Sequence, residues 1–391
     1  MWYLFAIVSL FGHASVCIWM INRLHATALP HRFLKALDLS WYNWLCGLPV
    51  AVLAWLVFRP SIYVLQWEQI GSFCLIYGTI CSIAAVGSAV VWYRYLKDLT
   101  TTQLLLHNHT DHVSIVEELG HRPTGSLVAT AFSLLPANQV FQLAVHEKTI
   151  ELPRLPKELD GLSITHLSDL HFTGQVTREY FEEVVRRANQ LESDFTVITG
   201  DIVDKPKCMP WLTEVLGKLE SRRGIFFVLG NHDLRVHDEM GVRGRLTDNG
   251  HYDLGGRSKM TEVNGKWIFW AGNELPWFAR STNMAECSQE LEEKRPFRIA
   301  LSHSPDQIDW ARSNDFDLML AGHTHGGQIR FPAIGPIFAP SWHGVKYASG
   351  TFYEDPTLLH VSRGLSGTRL LRFNCPPELT KLVLRHSNTE E

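Results

Sequence analysis

Five times between Leu162 and Gln328 a short apolar run ends in a tight cluster of Asp, His and Asn, and this recurrence limits the possible folds more than any other feature. Leu162 to Leu167 runs into Ser168-Asp169-Leu170-His171, Phe195 to Thr199 into Gly200-Asp201-Ile202-Val203-Asp204, and Ile225 to Leu229 into Gly230-Asn231-His232-Asp233. Phe297 to Ala300 leads to Leu301-Ser302-His303, and Leu318 to Leu320 leads to Gly322-His323-Thr324-His325. Apolar runs of this length between polar turns predict strands, while the amphipathic segments Tyr180 to Gln190 and Met209 to Leu219 predict crossover helices. A β-α-β-α-β order implies parallel strands with right-handed crossovers, which gathers the clusters at one sheet edge. The expected class is α/β.

The clusters supply carboxylate, amide and imidazole donors without thiolate, a set suited to Mn, Fe, Zn or related divalent ions. Their number exceeds what one tetrahedral ion needs, so two ions are the economical expectation. A carboxylate shared by two ions ~3.5 to 4 Å apart can hold a bridging water, lower its pKa and leave positions open for phosphoryl oxygens. A single Asp or His after a strand is more often a helix cap or a satisfied core group. Seven such residues at successive strand ends are not explained that way.

The succession DxH, GDxxD, GNHD, a lone His and GHxH resembles the calcineurin-like metallophosphoesterases, over about 230 residues and with no ligand position departing from the pattern. The resemblance implies a four-layer α/β sandwich in which Asp169, His171 and His325 hold one ion, Asn231, His303 and His323 hold the other, and Asp201 bridges. It implies attack by a metal-bridging hydroxide on a phosphodiester or pyrophosphate. His232 would sit beside the phosphate; Asp233, the other residue of the catalytic pair, would orient its neighbours together with Asp204. Gly326 and Gly327 are expected to let backbone approach the metals closely. The tail from Val361 to Leu379, with GHTHGGQ, resembles a membrane-associated bacterial branch that includes UDP-2,3-diacylglucosamine hydrolases, so a lipid-linked phosphate substrate is expected. Arg363 is a candidate substrate contact, with a surface salt bridge as the competing role. A general anchored phosphodiesterase or nucleotidase is the alternative, and a non-catalytic metal-binding scaffold a remoter one.

The first hundred residues obey a different solvent. Trp2 to Ile21, Trp41 to Phe58 and Ile70 to Tyr93 are each near the roughly 20 apolar residues that cross a bilayer as a helix, and no acid or base lies inside them. Arg23, Arg32 and Lys35 after the first stretch, and Arg94 and Lys97 after the third, predict an outside N-terminus and a cytoplasmic catalytic domain. The predicted organisation is a membrane anchor of about three transmembrane helices over 1–98, a connecting region over 99–155 and the phosphoesterase domain over 156–391. Within the connecting region, His107, His109 and His112 suggest a solvated linker or surface helix, Leu127 to Leu135 is too short to span, and Phe141 to Leu152 alternates like a strand or hairpin. A net charge of -4 gives no expectation of nucleic-acid binding. Seven cysteines without a CxxC pair suit reduced thiols, none of them a ligand. The loop from Leu234 to Met260, with Arg235, His237, Arg243, Arg245 and Arg257, either holds phosphate or is solvated surface. Trp277 and Phe278 are expected at an apolar entrance.

Overall fold

Parallel strands covered on both faces are apolar at successive positions rather than alternate ones, because each face meets its own core. The computed structural model describes residues 2–58, 71–98, 104–278, 280–285 and 295–387. It divides into two units, Met1–Thr101 and Thr102–Glu391.

The first unit holds α1 (Trp2–Leu24), α2 (His31–Phe58) and α3 (Ser72–Asp98). By length and composition, Tyr3–Leu24 and Ser72–Tyr93 are apolar enough to cross a membrane, with mean hydropathies of 2.1 and 2.0. The middle apolar stretch also lies in one helix, the C-terminal part of α2. Helices α1 and α3 meet through small residues: a Cβ on Gly12 would lie 1.6 Å from the Cys81 carbonyl oxygen, and Ser9 donates to the Gly78 carbonyl at 2.9 Å. One base, a histidine, lies inside the first stretch, contrary to the expectation of no acid or base. His13 is buried, its Nδ1 2.7 Å from the Tyr77 hydroxyl and its Nε2 3.0 Å from the Trp44 carbonyl, so a polar contact joins all three helices.

The second unit is built from strands β1 (Leu105–Ser114), β2 (Gln142–Leu152), β3 (Ser163–Leu167), β4 (Phe195–Thr199), β5 (Gly224–Val228), β6 (Tyr252–Asp253), β7 (Ser258–Val263), β8 (Lys266–Asn273), β9 (Phe297–Ser302) and β10 (Leu318–Ala321). After these come a small hairpin of β11 (Arg330–Phe331) and β12 (Gly335–Pro336), then β13 (Gly350–Glu354), β14 (Thr357–Val361) and β15 (Glu378–His386). Its helices are α4 (Ile115–Leu119), α5 (Leu127–Ser133), α6 (Arg178–Gln190), α7 (Trp211–Glu214), α8 (Glu239–Asp248) and α9 (Ile308–Ser313).

Two sheets form, in the orders β1-β2-β15-β3-β4-β5-β6 and β13-β14-β10-β9-β8-β7. Side-chain alternation sorts the strands into three cores. Phe195 and Val197 of β4 and Phe226 and Val228 of β5 point between the sheets, against Trp270, Ile299 and Leu320. The residues between them, such as Ile198 and Phe227, point outward to α6 and its neighbours. On the far side, Phe269, Ala300 and Met319 meet α9. The layers are therefore helices, sheet, sheet, helices: the four-layer sandwich. The Trp270 ring stacks on Phe226 at 4.5 Å, and truncating any such fully buried aromatic costs about 3 to 5 kcal/mol.

Three sequence expectations change. Residues 105–152 are not a connecting region: β1 and β2 extend the first sheet, where β15 pairs with β2 on one side and β3 on the other. The His107 to His112 run is an antiparallel edge strand, not a linker or helix, and its outward polar residues suit an edge. The second crossover, Met209 to Leu219, is only a four-residue α-helix flanked by 3-10 turns. Pro206, Pro210 and Gly217 deny it a longer regular run.

Candidate dinuclear metal centre

Every predicted ligand sits just past the C-terminal end of a parallel strand, but the strands belong to two sheets. Asp169 and His171 follow β3, Asp201 and Asp204 follow β4, and Asn231 to Asp233 follow β5 of the first sheet, whereas His303 follows β9 and His323 and His325 follow β10 of the second. The sandwich brings both sets to one place. Asp169, His171, Asp201 and His325 form one group of converging ligand atoms, and Asp201, His303 and His323 form another. Asn231 joins the second group, its Oδ1 3.2 Å from His303 Nε2. The two groups share Asp201.

The backbone is bent to achieve this. Asp169, His171, Asp201, His323 and His325 all have positive φ, between 49° and 71°. Non-glycine residues occupy that region at a cost of order 1 kcal/mol each, and a set of them marks a place where geometry is dictated by something other than local stability. The motif glycines serve close approach. A Cβ on Gly322 would lie 1.7 Å from Ser168 Oγ and 2.5 Å from Asp169 Oδ2, and one on Gly230 would lie 2.3 Å from Asp201 Oδ1. Gly326 and Gly327 do something else: their faces are closed by Cys375, Arg363 and Pro336, not by the ligand cluster.

Outer hydrogen bonds fix which imidazole nitrogen faces inward. His171 Nδ1 donates to Asp204 at 2.8 Å and His303 Nδ1 donates to the Thr199 carbonyl at 2.7 Å, so each ring turns its Nε2 into the cluster, where a cation would take the place of a proton. There His171 Nε2 lies 3.1 Å from His325 Nε2 and 3.5 Å from Asp201 Oδ2, and His303 Nε2 lies 3.1 Å from His323 Nδ1 and 3.3 Å from Asp201 Oδ1. Lone pairs and buried carboxylates converging in this way are what divalent cations satisfy, and the cluster fits a dinuclear site.

The electrostatics agree. Burial opposes charge on His171 and His303, but the adjoining carboxylates, Asp204 for the first and Asp201 for the second, outweigh it and push each imidazole up to about 9. Burial likewise opposes ionisation of Asp201, yet His303 and His232 hold it well below the usual carboxylate range. The pocket is one that attracts positive charge.

His232 stands at the rim. Its backbone N–H donates to Asp201 Oδ1 at 2.7 Å, its Nδ1 donates to Asp204 at 2.8 Å, and its Nε2 lies 4.0 Å from Asp201 Oδ2. Asp204 thus orients two rings, His171 and His232, whose centroids are 4.5 Å apart and nearly perpendicular. Asp233 is not at the cluster's open side. Its carboxylate accepts the backbone N–H groups of Ile202, Val203 and Gly230 at 2.8 to 2.9 Å, tying the loop after β4 to the loop after β5. Asp204→Asn is expected to lower kcat about 10- to 100-fold. Metal content measured on the same samples should stay near two per chain; a proportional loss of metal would make Asp204 a ligand instead.

Arg363 is not brought to the cluster. Its Nε donates to Glu378 at 2.7 Å and its terminal nitrogen contacts His146, so its guanidinium belongs to an ion pair, an interior one rather than a surface one. Arg235 is nearer, its guanidinium 3.9 Å from Asp204 Oδ2 and one-third exposed, and a basic residue three positions after GNH was the available sequence signal. Arg243 lies not on a loop but on α8, buried between Asp253 and Glu274 at 2.7 and 2.6 Å, and is structural. Trp277 does line the site, 4.7 Å from the His323 ring and 5.5 Å from the His303 ring.

A four-layer sandwich whose two sheets deliver such a donor set to one edge is a metal-dependent phosphoester hydrolase. A family model for calcineurin-like phosphoesterases matches residues 162–327, and the chain belongs to that family. It is 32% identical over 247 residues to an uncharacterized metallophosphoesterase of Bacillus subtilis, YkuE, covering 62% of this chain and 85% of that one. Over 232 residues it is 29% identical to the Escherichia coli phosphodiesterase YaeI, covering 56% of this chain and 81% of YaeI. With the UDP-2,3-diacylglucosamine pyrophosphatase LpxG of Chlamydia muridarum the identity is 26% over 284 residues, covering 58% of this chain and 85% of LpxG.

Proposed function

We propose that this chain hydrolyses a phosphodiester or pyrophosphate bond in a lipid-linked substrate such as UDP-2,3-diacylglucosamine, at the cytoplasmic face of a membrane it crosses three times. The observation that carries the chemistry is the pair of donor groups sharing Asp201. The likeness to LpxG and the two helices long and apolar enough to span support the lipid reading.

In this reading Asp169, His171 and His325 hold one divalent ion, Asn231, His303 and His323 hold the other, and Asp201 serves both; Mn, Fe or Zn suits the donors. When bound, the two ions supply Lewis-acid polarisation of the phosphoryl oxygens and of the attacking water. The protein's own groups do the rest. His232, with Nδ1 donating to Asp204, turns Nε2 toward the phosphate; burial favours the neutral ring, and only when the negative charge of a bound phosphate brings a proton to Nε2 can it donate a hydrogen bond to a developing oxyanion or a proton to the leaving oxygen. Arg235 adds positive charge beside it, taking the phosphate contact expected of Arg363. Trp277 walls the second ligand group from water. Asp233 is a positioning residue.

The test is metal-dependent turnover by the detergent-purified full chain with Mn, across UDP-2,3-diacylglucosamine, bis(p-nitrophenyl) phosphate and simple nucleotides. A preference of at least tenfold in kcat/KM for the acylated sugar nucleotide is the expected result. Equal or better turnover of generic diesters would favour the second reading, an anchored phosphodiesterase, to which the likeness to YaeI points. For the orientation, protease added to intact cells should leave the second unit whole and cut it after the membrane is opened; cutting from outside would reverse the topology.

A further inference from the structure

We propose that the catalytic edge of the Thr102–Glu391 unit carries a docking rim for an anionic bilayer surface, formed by α5 and the β11–β12 hairpin. Neither element belongs to the cores of the sandwich except at its base. On α5 and the turn after it, Leu127 is 89% exposed and Val128 66%, and Phe132, Leu134 and Leu135 are exposed as well. On and after the hairpin, Phe331, Ile334 and Trp342 are exposed. Scattered exposed apolar residues need no explanation, whereas clusters on short elements beside an active site do.

Both elements are anchored to the same segment, 366–374. Asn138, just past α5, donates to the Leu370 carbonyl at 2.8 Å and accepts the Arg372 N–H at 3.0 Å. From the other side, Arg330 N–H donates to the Phe373 carbonyl and Phe373 N–H to Gln328, each at 2.9 Å. That shared segment borders the metal centre, since a Cβ on Gly367 would lie 3.8 Å from the His325 ring. The base of α5 also reaches the loop after His171: Gly125 N–H donates to Gln175 at 2.8 Å, and Gln175 donates to the Thr368 carbonyl at 3.2 Å. The two prominences therefore flank the loops that carry His171 and His325.

Charge identifies the occupant. The segments 121–138, 328–342 and 366–374 contain no Asp or Glu, and Arg122, Arg330 and Arg369 lie at their surface; Arg372 is buried on backbone carbonyls, and the one acid bonded to these segments, Asp306, is engaged by Ser341 and the Trp342 N–H. Apolar side chains set among arginines, with Trp342 among them, are what an interface of acyl chains and anionic headgroups binds. A protein partner would be expected to meet acidic as well as basic groups across a polar rim. The consequence for catalysis rests on the lipid-linked reading: a site bordered by bilayer-docked elements can draw an amphiphile's phosphate from the headgroup plane without extracting its acyl chains.

The test separates docking from substrate choice. The full chain, carrying an environment-sensitive fluorescent amino acid at Val128, Ile334 or Glu192, is reconstituted in nanodiscs of phosphatidylcholine with or without phosphatidylglycerol. Glu192 is exposed at the opposite end of the strands. Shallow doxyl-labelled lipid should quench the probes at Val128 and Ile334 at least twofold more than the probe at Glu192, and more strongly with the anionic lipid. Quenching equal at all three positions would overturn the proposal. Energy transfer between chains that is indifferent to lipid would also overturn it, in favour of a self-association face. With the probe at Val128 or Ile334, the variant Leu127→Ser/Phe132→Ser/Phe331→Ser should lose the quenching while hydrolysing bis(p-nitrophenyl) phosphate at the unchanged rate, and should turn over bilayer-embedded acylated sugar nucleotide at least fivefold more slowly. If the wild type is quenched as expected but hydrolyses no lipid-linked substrate, the rim stands and the substrate reading falls.

Discussion

Asp201→Asn is expected to reduce hydrolysis of every substrate by on the order of 10³-fold or more and to bring metal content from two ions per chain to one or none. Asp201 is the one residue common to both ligand groups, and it also receives the backbone N–H of His232 on Oδ1. Asparagine preserves the volume and one acceptor oxygen but removes the charge and the second acceptor, so the shared site loses its bridge while the fold keeps its shape. In the proposed assignment each of the other ligand positions serves one ion only, so replacing Asn231 or His325 with alanine should leave one ion bound. The comparison is made by elemental analysis of the purified variants alongside kcat/KM. Retention of both ions by Asp201→Asn with near-normal rate would refute the bridging role, and equal metal loss from all seven ligand variants would point to collapse of the site rather than to a specific bridge.

The chemistry was legible because the ligands are local in sequence. Each cluster is a strand end followed by two to four polar residues, and parallel topology then dictates that such ends converge. What local reading cannot supply is which sheet a strand joins. The clusters after β9 and β10 come from the second sheet, and nothing in Phe297 to Ala300 or Leu318 to Leu320 distinguishes them from β4 or β5. Closure by β15 is less legible still, since the last strand inserts between β2 and β3, more than two hundred residues earlier in the chain. Without that partner, β1 and β2 look like a tether. The polar face of β1, with His107, His109 and His112, is the signature of an exposed edge and reads equally well as linker. His13 escaped notice for another reason: a lone imidazole in an apolar stretch has no sequence-local partner, and Tyr77 and Trp44 arrive from the other helices.

The role of Arg363 leads to a large expected stability effect. Between the two sheets Glu378 is the only carboxylate facing two buried cations among the described residues of this cluster: Lys148 at 2.9 Å and Arg363 at 2.7 Å. Thr380 donates to it at 2.6 Å, and His360 stands between Lys148 at 3.1 Å and His166 at 3.1 Å. Burial holds His146 and His360 down to about 4, so both rings stay neutral and cannot share in balancing charge. Burial opposes ionisation of Glu378 too, but Lys148 and Arg363 hold its carboxyl well below the usual range. Glu378→Ala strands two cations in the interior, where breaking a buried pair from one side costs about 3 to 5 kcal/mol. The expected result is a fall in the melting temperature of the metal-loaded full chain on the order of 10 °C, with Glu378→Gln falling less because it keeps acceptors for Thr380 and Lys148. The decisive comparison is the double variant. Lys148→Met alone should destabilise by weakening the hold on Glu378, yet added to Glu378→Ala it should recover part of the lost stability by removing one of the unpaired charges. Purely additive losses would show that packing, and not charge balance, dominates between the sheets. Recovery would explain why Arg363 is unavailable to the substrate: its guanidinium is needed where it lies, and its aliphatic stem, 2.7 Å from where a Cβ on Gly326 would be, helps seat the loop that carries His325.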